Sequence, residues 1–303
     1  MDWTVYWFML PACVVIASVA MFSGISGAAM LTPLFLIGFP LFDVPTLTAI
    51  QAIALALFLE TFGFGSGVLG YWLRRLPDFS LAGRLLLVTV PVGITGAIVA
   101  GRAPGDALRL IYGLLMFAVA ALLLAEARER LRRAGPPAIT GGAPEAEEMG
   151  GEWREIVSSD GRRFTYRVSG VPSAMALSGS GAFLAGLVST GVGEATMPNL
   201  VRRMRVPVAV AAATSTTVVA GTVVGTAIAH LIQLTIDGGL EATPWNLVVW
   251  AVPGALLGAQ IGSRLQGRFD EGRTAAFFGA LFLLIGLSFV LMVTVLGARF
   301  DTG

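Results

Sequence analysis

The sequence predicts an all-α, polytopic membrane protein built from two inverted repeats, each a broken-helix hairpin followed by three transmembrane helices. Three observations carry that prediction. A chain of 303 residues with 55% hydrophobic and 13% charged residues and a mean hydropathy of +0.80 lies far from a soluble domain, in which about a quarter of residues are charged. Apolar runs long enough to span a bilayer recur, each bounded by arginines or by Pro/Gly/Asp clusters. Finally, Val44-Pro45 returns as Val206-Pro207, 162 residues later, and the same offset sets Gly63 on Gly225, Pro91 on Pro253, Gly96 on Gly258 and Arg102 on Arg264. The segments VPVGITGA and VPGALLGA then read against each other without a gap. Internal duplication of this kind is common in secondary transporters.

In chain order, residues 3–39 read as an apolar hairpin broken at Gly24–Gly27, entered from outside because neither of its ends carries a basic residue. No small-residue cleavage site with a polar start follows its first run, so that run reads as a retained span. Residues 44–72 run inward to Arg74, Arg75 and Arg84, residues 85–100 outward, and residues 108–125 inward. Span 85–100 is short and carries Pro91, and this path leaves Arg102 and Arg109 outside against the positive-inside rule. Residues 128–167 form an arginine-bearing cytoplasmic loop. PPAITGGAPEAEE has the composition of a linker, and the alternation around Ser159-Asp160-Gly161 reads as a small β-hairpin outside the membrane. Residues 171–201 form the second hairpin, broken at Gly191–Glu194 and returning to Arg202, Arg203 and Arg205. Residues 206–231 then run outward to a loop with Asp237 and Glu241, residues 245–262 inward to Arg264, Arg268 and Arg273, and residues 275–296 outward. The chain thus divides into a first repeat (1–126), a cytoplasmic loop (127–170) and a second repeat (171–303).

Composition also restricts function. A net charge of +1 argues against nucleic acid as a partner. Cys13 is the only cysteine and His230 the only histidine, which leaves no intramolecular disulfide, no cysteine or histidine metal cluster and little from which to build the nucleophile–base pair of a membrane-embedded enzyme, the lesser alternative. No cofactor is expected, and His230 reads as a structural or interfacial residue. A channel-like pore is the other alternative. It needs polar residues along several spans, whereas here they cluster at the breaks.

Residues 186–217, GLVSTGVGEATMPNLVRRMRVPVAVAAATSTT, carry the strongest functional signal. Gly191, Gly193 and Pro198 interrupt helix, and unpaired backbone groups are tolerated at membrane depth only where protein or a water-filled cavity surrounds them. Helix N-termini at such breaks bind anions through free N–H groups. Ser26, Thr190, Thr214 and Ser215 can add hydroxyl donors, Gln51 an amide, and Gly27, Gly191 and Gly193 the exposed backbone. Each hydroxyl could instead bond its own helix. Glu60 and Glu194 are the carboxylates deepest in the predicted membrane, and such residues carry function by default. Both are candidates for carrying protons or organising the site. The run Gly63, Gly65, Gly67 reads as a helix-packing face.

The two glycine-rich stretches carry a family resemblance. The first reads Gly24-Ile25-Ser26-Gly27-Ala28-Ala29-Met30-Leu31-Thr32-Pro33, the second Gly191-Val192-Gly193-Glu194-Ala195-Thr196-Met197-Pro198. Together with Thr214-Ser215 they resemble the sulfite exporter TauE/SafE family, also called the 4-toluene sulfonate uptake permease family, whose pattern in each half is roughly G-x-G-G-G-x-x-x-x-P. In the first copy serine and alanine replace two glycines. The second is two residues shorter and has Glu194 where the family has its third glycine. The first half has Ala52 and Ile53 in place of the Thr-Ser pair. The resemblance implies a multi-pass transporter of the bacterial inner membrane that moves a sulfite-, thiosulfate- or organosulfonate-like anion by alternating access. Its expected partners are the anion, protons, the lipid bilayer and a second copy in a homodimer. Glu194 is the notable departure, because a carboxylate beside an anion site raises the cost of binding unless it is protonated or paired.

Overall fold

The computed structural model describes residues 3–23, 25–132, 151–265 and 271–296. The linker at 136–148, Gly24 and Arg268 lie outside the described residues. Helix α1 (Met9–Ser23) ends at the first break. Beyond it, α2 (Ala28–Pro33) passes through a π-helical turn, Leu34–Gly38, into a last turn, α3 (Phe39–Leu41). Then follow α4 (Ala49–Leu73), α5 (Phe79–Ala100), α6 (Gly105–Arg132) and the hairpin of β1 (Glu152–Val157) and β2 (Arg163–Val168). The second half repeats the order with α7 (Val171–Val188), α8 (Val192–Pro198) with its π-helical turn Asn199–Arg203, α9 (Val208–Gly238), α10 (Trp245–Leu265) and α11 (Glu271–Leu291). Seven of these helices are long and apolar enough to cross a membrane. The protein is a polytopic all-α membrane protein.

The prolines explain the π turns. Pro33 and Pro198 have no N–H to answer the carbonyl four residues back, so each ends regular α-helix and the chain continues with wider winding. Pro33 to Pro198 and Leu34 to Asn199 are both 165 residues apart, not 162. The difference arises because α7 has 18 residues where α1 has 15.

Three sequence expectations change. The span expected at 85–100 begins at Phe79 and is 22 residues long, because Asp78 caps the Leu81 N–H at 2.9 Å and Arg84 pairs with Glu152 at 3.1 Å. The span expected at 44–72 begins at Ala49, where Thr48 and Gln51 form a reciprocal capping box. Gln51 therefore sits in a first helical turn instead of inside an apolar span. The glycine run of α4 is not a packing face either. Nothing lies within 4 Å of a Cβ built on Gly63 or Gly65, and only Gly67 abuts a side chain, that of Met21.

Close packing is found elsewhere. Gly254, Gly258 and Gly262 lie on one face of α10, where a Cβ would overlap the carbonyls of Leu10, Val14 and Ser18 on α1. In the same way Gly96 meets the Phe183 carbonyl, and Gly186 the Gly93 carbonyl, where α5 and α7 cross. Helix α4 packs on α9 and α10, α5 on α9, and α6 mainly on α11 with smaller contacts to α4 and α7.

The hairpin pairs in antiparallel register, with Trp153 opposite Arg167 and the guanidinium 5.9 Å from the indole centroid. It docks on the corner between α4 and α5. The Ser159 N–H donates to the Arg74 carbonyl (3.0 Å), while Arg154 and the Tyr166 hydroxyl take the two oxygens of buried Asp78 at 2.6 and 2.7 Å. Burial, followed by the hydrogen bond to Asp78, pushes the Tyr166 phenol up. The bonds that Arg154 and Arg84 donate hold Glu152 below its ordinary range.

Candidate functional site

The first break leaves the N–H groups that open α2 without carbonyl partners in their own helix. Glu60, reaching across from α4, supplies the acceptor: its Oε1 takes the Ser26 hydroxyl at 2.6 Å and the Ala28 N–H at 3.3 Å. Both bonds fall on Oε1, and Oε2 takes neither. The carbonyl of Ala29, which Pro33 cannot answer, accepts the hydroxyl of buried Tyr112 on α6 at 2.8 Å.

The second break is closed by its own residues. Ser189 ends α7 in the left-handed region (φ 65°), and Gly191 turns the chain at φ 131° beside the Gly181 carbonyl, a conformation and a fit that exclude a side chain. Glu194, in the first turn of α8, accepts the Gly191 N–H on Oε2 (3.1 Å) and the Thr190 hydroxyl on Oε1 (3.3 Å). It is thus a local cap whose charge suits a helix N-terminus. The two breaks touch, with the Thr32 and Ser189 hydroxyls 2.7 Å apart.

Between them lies a cavity of about 370 Å³, the size of a small-ligand pocket. Ser26, Glu60, Thr190, Gly191, Gly193, Glu194 and Ser215 line it, with Phe64, Met197 and Val219 as apolar walls. Near the ends of their helices, Tyr71 of α4, Glu126 of α6, Val208 of α9 and Thr274 of α11 complete the lining. Among the described residues no arginine, lysine or histidine lines the cavity. Among the described residues no three His, Cys, Asp or Glu side chains are grouped to hold a metal ion.

Three sequence-predicted residues lie elsewhere. Gly27 sits behind Glu60 in a smaller apolar pocket shared with Cys13 and Leu59. Gln51 is spent on Thr48 and on the Ala242 carbonyl, to which its Nε2 donates at 2.8 Å. Thr214 is fully buried and accepts the Asp78 N–H at 3.0 Å. Successive helical residues are turned about 100° apart, so Ser215 can face the cavity while Thr214 faces the α4–α5 corner. His230 is fully buried with Nε2 2.7 Å from the Gly186 carbonyl, at the end of α7.

Sequence reasoning missed Ser189 and Tyr112. The residue before a break and the donor for a proline-orphaned carbonyl are the signals that could have pointed to them. Thr216 lines the cavity but spends its hydroxyl on the Ala212 carbonyl of its own helix (2.8 Å).

A family model described as sulfite exporter TauE/SafE matches residues 9–289. No curated protein and no solved structure matches. With one family model running from α1 to α11, through both broken hairpins and all seven membrane-length helices, the chain belongs to the sulfite exporter TauE/SafE family, a family of multi-pass membrane transporters.

Proposed function

We propose that this protein moves a small sulfur-containing anion, of the sulfite, thiosulfate or organosulfonate class, across the bacterial inner membrane by alternating access to the cavity between its two helix breaks. One observation carries the reading. Two interrupted helices of a sulfite exporter family member meet at a cavity lined by hydroxyls and helix-start backbone but by no cation. Neutral donors and N–H groups can hold an oxyanion without the fixed countercharge that would trap it. Ser215 supplies a hydroxyl, Ser26 and Thr190 supply theirs by turning from Glu60 and Glu194 to the anion, and Gly191 and Gly193 let the backbone approach.

Helix pairing supports two inverted repeats, 1–126 and 171–303, around the 127–170 loop. Exchanging the halves maps the α1–α10 pair onto α7–α5 and α4–α10 onto α9–α5, while α4–α9 and α6–α11 map onto themselves. Such a pattern is what a two-fold relation between the halves produces. The helix ends that line the cavity at Tyr71, Val208 and Thr274 adjoin Arg74, Arg75, Arg205 and Arg273. By the positive-inside rule this is the cytoplasmic end, and the cavity is then in its inward-facing state. The pair α6–α11 walls one side of the cavity and joins the other helices sparsely, which makes it the natural element to move against them.

The test is uptake of ³⁵S-sulfite into proteoliposomes, with thiosulfate and sulfoacetate as competitors. Saturable uptake that a competitor suppresses is the expected result. Uptake no faster than in protein-free vesicles for every anion tried overturns the reading.

A further inference from the structure

An anion entering this cavity meets three carboxylates, Glu60, Glu126 and Glu194, and, among the described lining residues, no cation. Like charges in a low-dielectric pocket repel strongly, so binding is favourable only if at least one carboxylate is neutral when the site is filled. The hydrogen bonds distinguish the two that serve the helix breaks, Glu60 and Glu194. At Glu194 each oxygen already accepts a donor, Thr190 on Oε1 and the Gly191 N–H on Oε2. Adding a proton there displaces one of those donors and weakens the break. At Glu60, which is only 4% exposed, the Ser26 hydroxyl and the Ala28 N–H both fall on Oε1, and the Gly27 backbone also acts on the carboxyl group. Its Oε2 can carry a hydrogen with neither the Ser26 nor the Ala28 bond lost, and a bound oxyanion can accept that hydrogen.

We propose that Glu60 is the proton-binding group of this transporter, protonated on Oε2 as the anion enters, and that Glu194 is a positioning residue that holds the second break; the proposal rests on the transport reading above. The balance is simple. One proton leaves water and forms an O–H bond on Oε2, that O–H donates to the anion, and both are released to water on the far side. Proton and anion therefore travel together, and each raises the affinity for the other.

The surroundings of Glu60 offer no competing neutralisation. From α8 it faces Glu194. From α6 it faces Tyr112, whose hydroxyl is held by the Ala29 carbonyl, and Glu126, while its own helix contributes Tyr71; these last two have interactions of their own. Helices α1, α2, α9 and α10 add hydroxyls and apolar side chains to the two pockets Glu60 lines, and α11 adds Thr274 and Ala275.

The experiment uses the full-length protein in proteoliposomes with ³⁵S-sulfite, the membrane potential clamped at zero. Counterflow, which exchanges labelled for unlabelled sulfite, reports transport alone; accumulation under an imposed pH gradient reports coupling. With one proton per anion, a gradient of one pH unit sustains about a tenfold accumulation on the alkaline side, since a factor of ten corresponds to ~1.4 kcal/mol. Wild-type protein is expected to approach that ratio, and Glu60→Gln to show no gradient stimulation even where its counterflow falls several-fold. Glu194→Gln is expected to keep its fold-stimulation while its flux and thermal stability fall. Glu60→Asp, which restores a carboxyl group, should recover part of the stimulation. Wild-type counterflow without gradient-driven accumulation, accumulation on the acidic side, or a Glu60→Gln protein stimulated like wild type overturns the assignment to Glu60. Absence of wild-type counterflow instead overturns the transport reading itself.

Discussion

The two helix breaks solve one problem by different means. At the second, everything is local: Gly191 supplies a backbone shape that only glycine adopts easily, and Glu194 caps its own turn from three residues away. At the first, Gly27 is ordinary right-handed helical backbone (φ −65°), and the cap is Glu60, 32 residues beyond the Ala28 N–H that it accepts. The second break is therefore written into its own short segment. The first exists only when α4 is packed beside it. Both halves hold a broken helix, but the backbone at the break and the position of the carboxylate that caps it differ between them. At Glu60 plus 162 stands Thr222, which bonds Thr89 at 2.7 Å and takes no part in either break.

Substituting the two glycines gives the widest separation. Gly191→Ala places a Cβ at positive φ and 3.0 Å from the Gly181 carbonyl, so we expect a loss of about 2–3 kcal/mol, seen as a clear drop in thermal stability in detergent. Gly27→Ala meets the Ala20 Cβ at 3.5 Å and Glu60 Oε1 at 4.0 Å, both ordinary contacts, and should change stability by less than about 1 kcal/mol in either direction. Equal losses at both positions would remove the contrast between local and borrowed breaks.

A smaller effect separates the neighbouring hydroxyls of α9. Ser215→Ala removes a cavity donor and should weaken sulfite binding roughly tenfold, the low end of a lost bond to a charged group at about 1.5–3 kcal/mol. Thr214→Val leaves the Asp78 N–H unanswered and should cost about 1 kcal/mol of stability with sulfite affinity unchanged. Isothermal titration and thermal unfolding of both variants measure the two arms. Matching affinity losses would return Thr214 to the site.

The smallest expected change concerns pH and the hairpin. The Ser158 hydroxyl, with help from Arg162, holds Asp160 down to about 2. A depressed carboxyl contributes stability that is complete above its unfolded value of about 3.9 and lost as pH falls through the folded value. Protease cleavage at the hairpin tip should thus be constant down to about pH 4 and rise below it. Asp160→Asn should show the faster cleavage already at neutral pH.

How much of this was legible in the sequence follows from range. Gly/Pro punctuation placed both breaks, and alternation around Ser159-Asp160-Gly161 placed the hairpin, because those signals act within a few residues. The partners of the breaks were not legible. Glu60 was singled out as a buried acid, but nothing in a linear reading says that it caps α2 across a helix interface. Tyr112 gave no signal until Pro33 was seen to orphan the Ala29 carbonyl. Gln51 was misplaced for a local reason that could have been caught: Thr48-x-x-Gln51 is a capping-box pattern and puts the amide in a first turn. The site was half legible for the same cause, since Ser215 and Thr214 are equivalent in sequence and separated only by the helical turn between them.

The glycine notches that seat α1 on α10 also set the order in which the protein can be made. Helix α1 is made long before the surface cut to receive it, which begins at Trp245. Helix α5 likewise waits for α7 across the β-hairpin. A nascent chain must hold these apolar segments without those partners until the other half arrives, so neither half closes its packing alone. The joint closes late, between helices far apart in the chain.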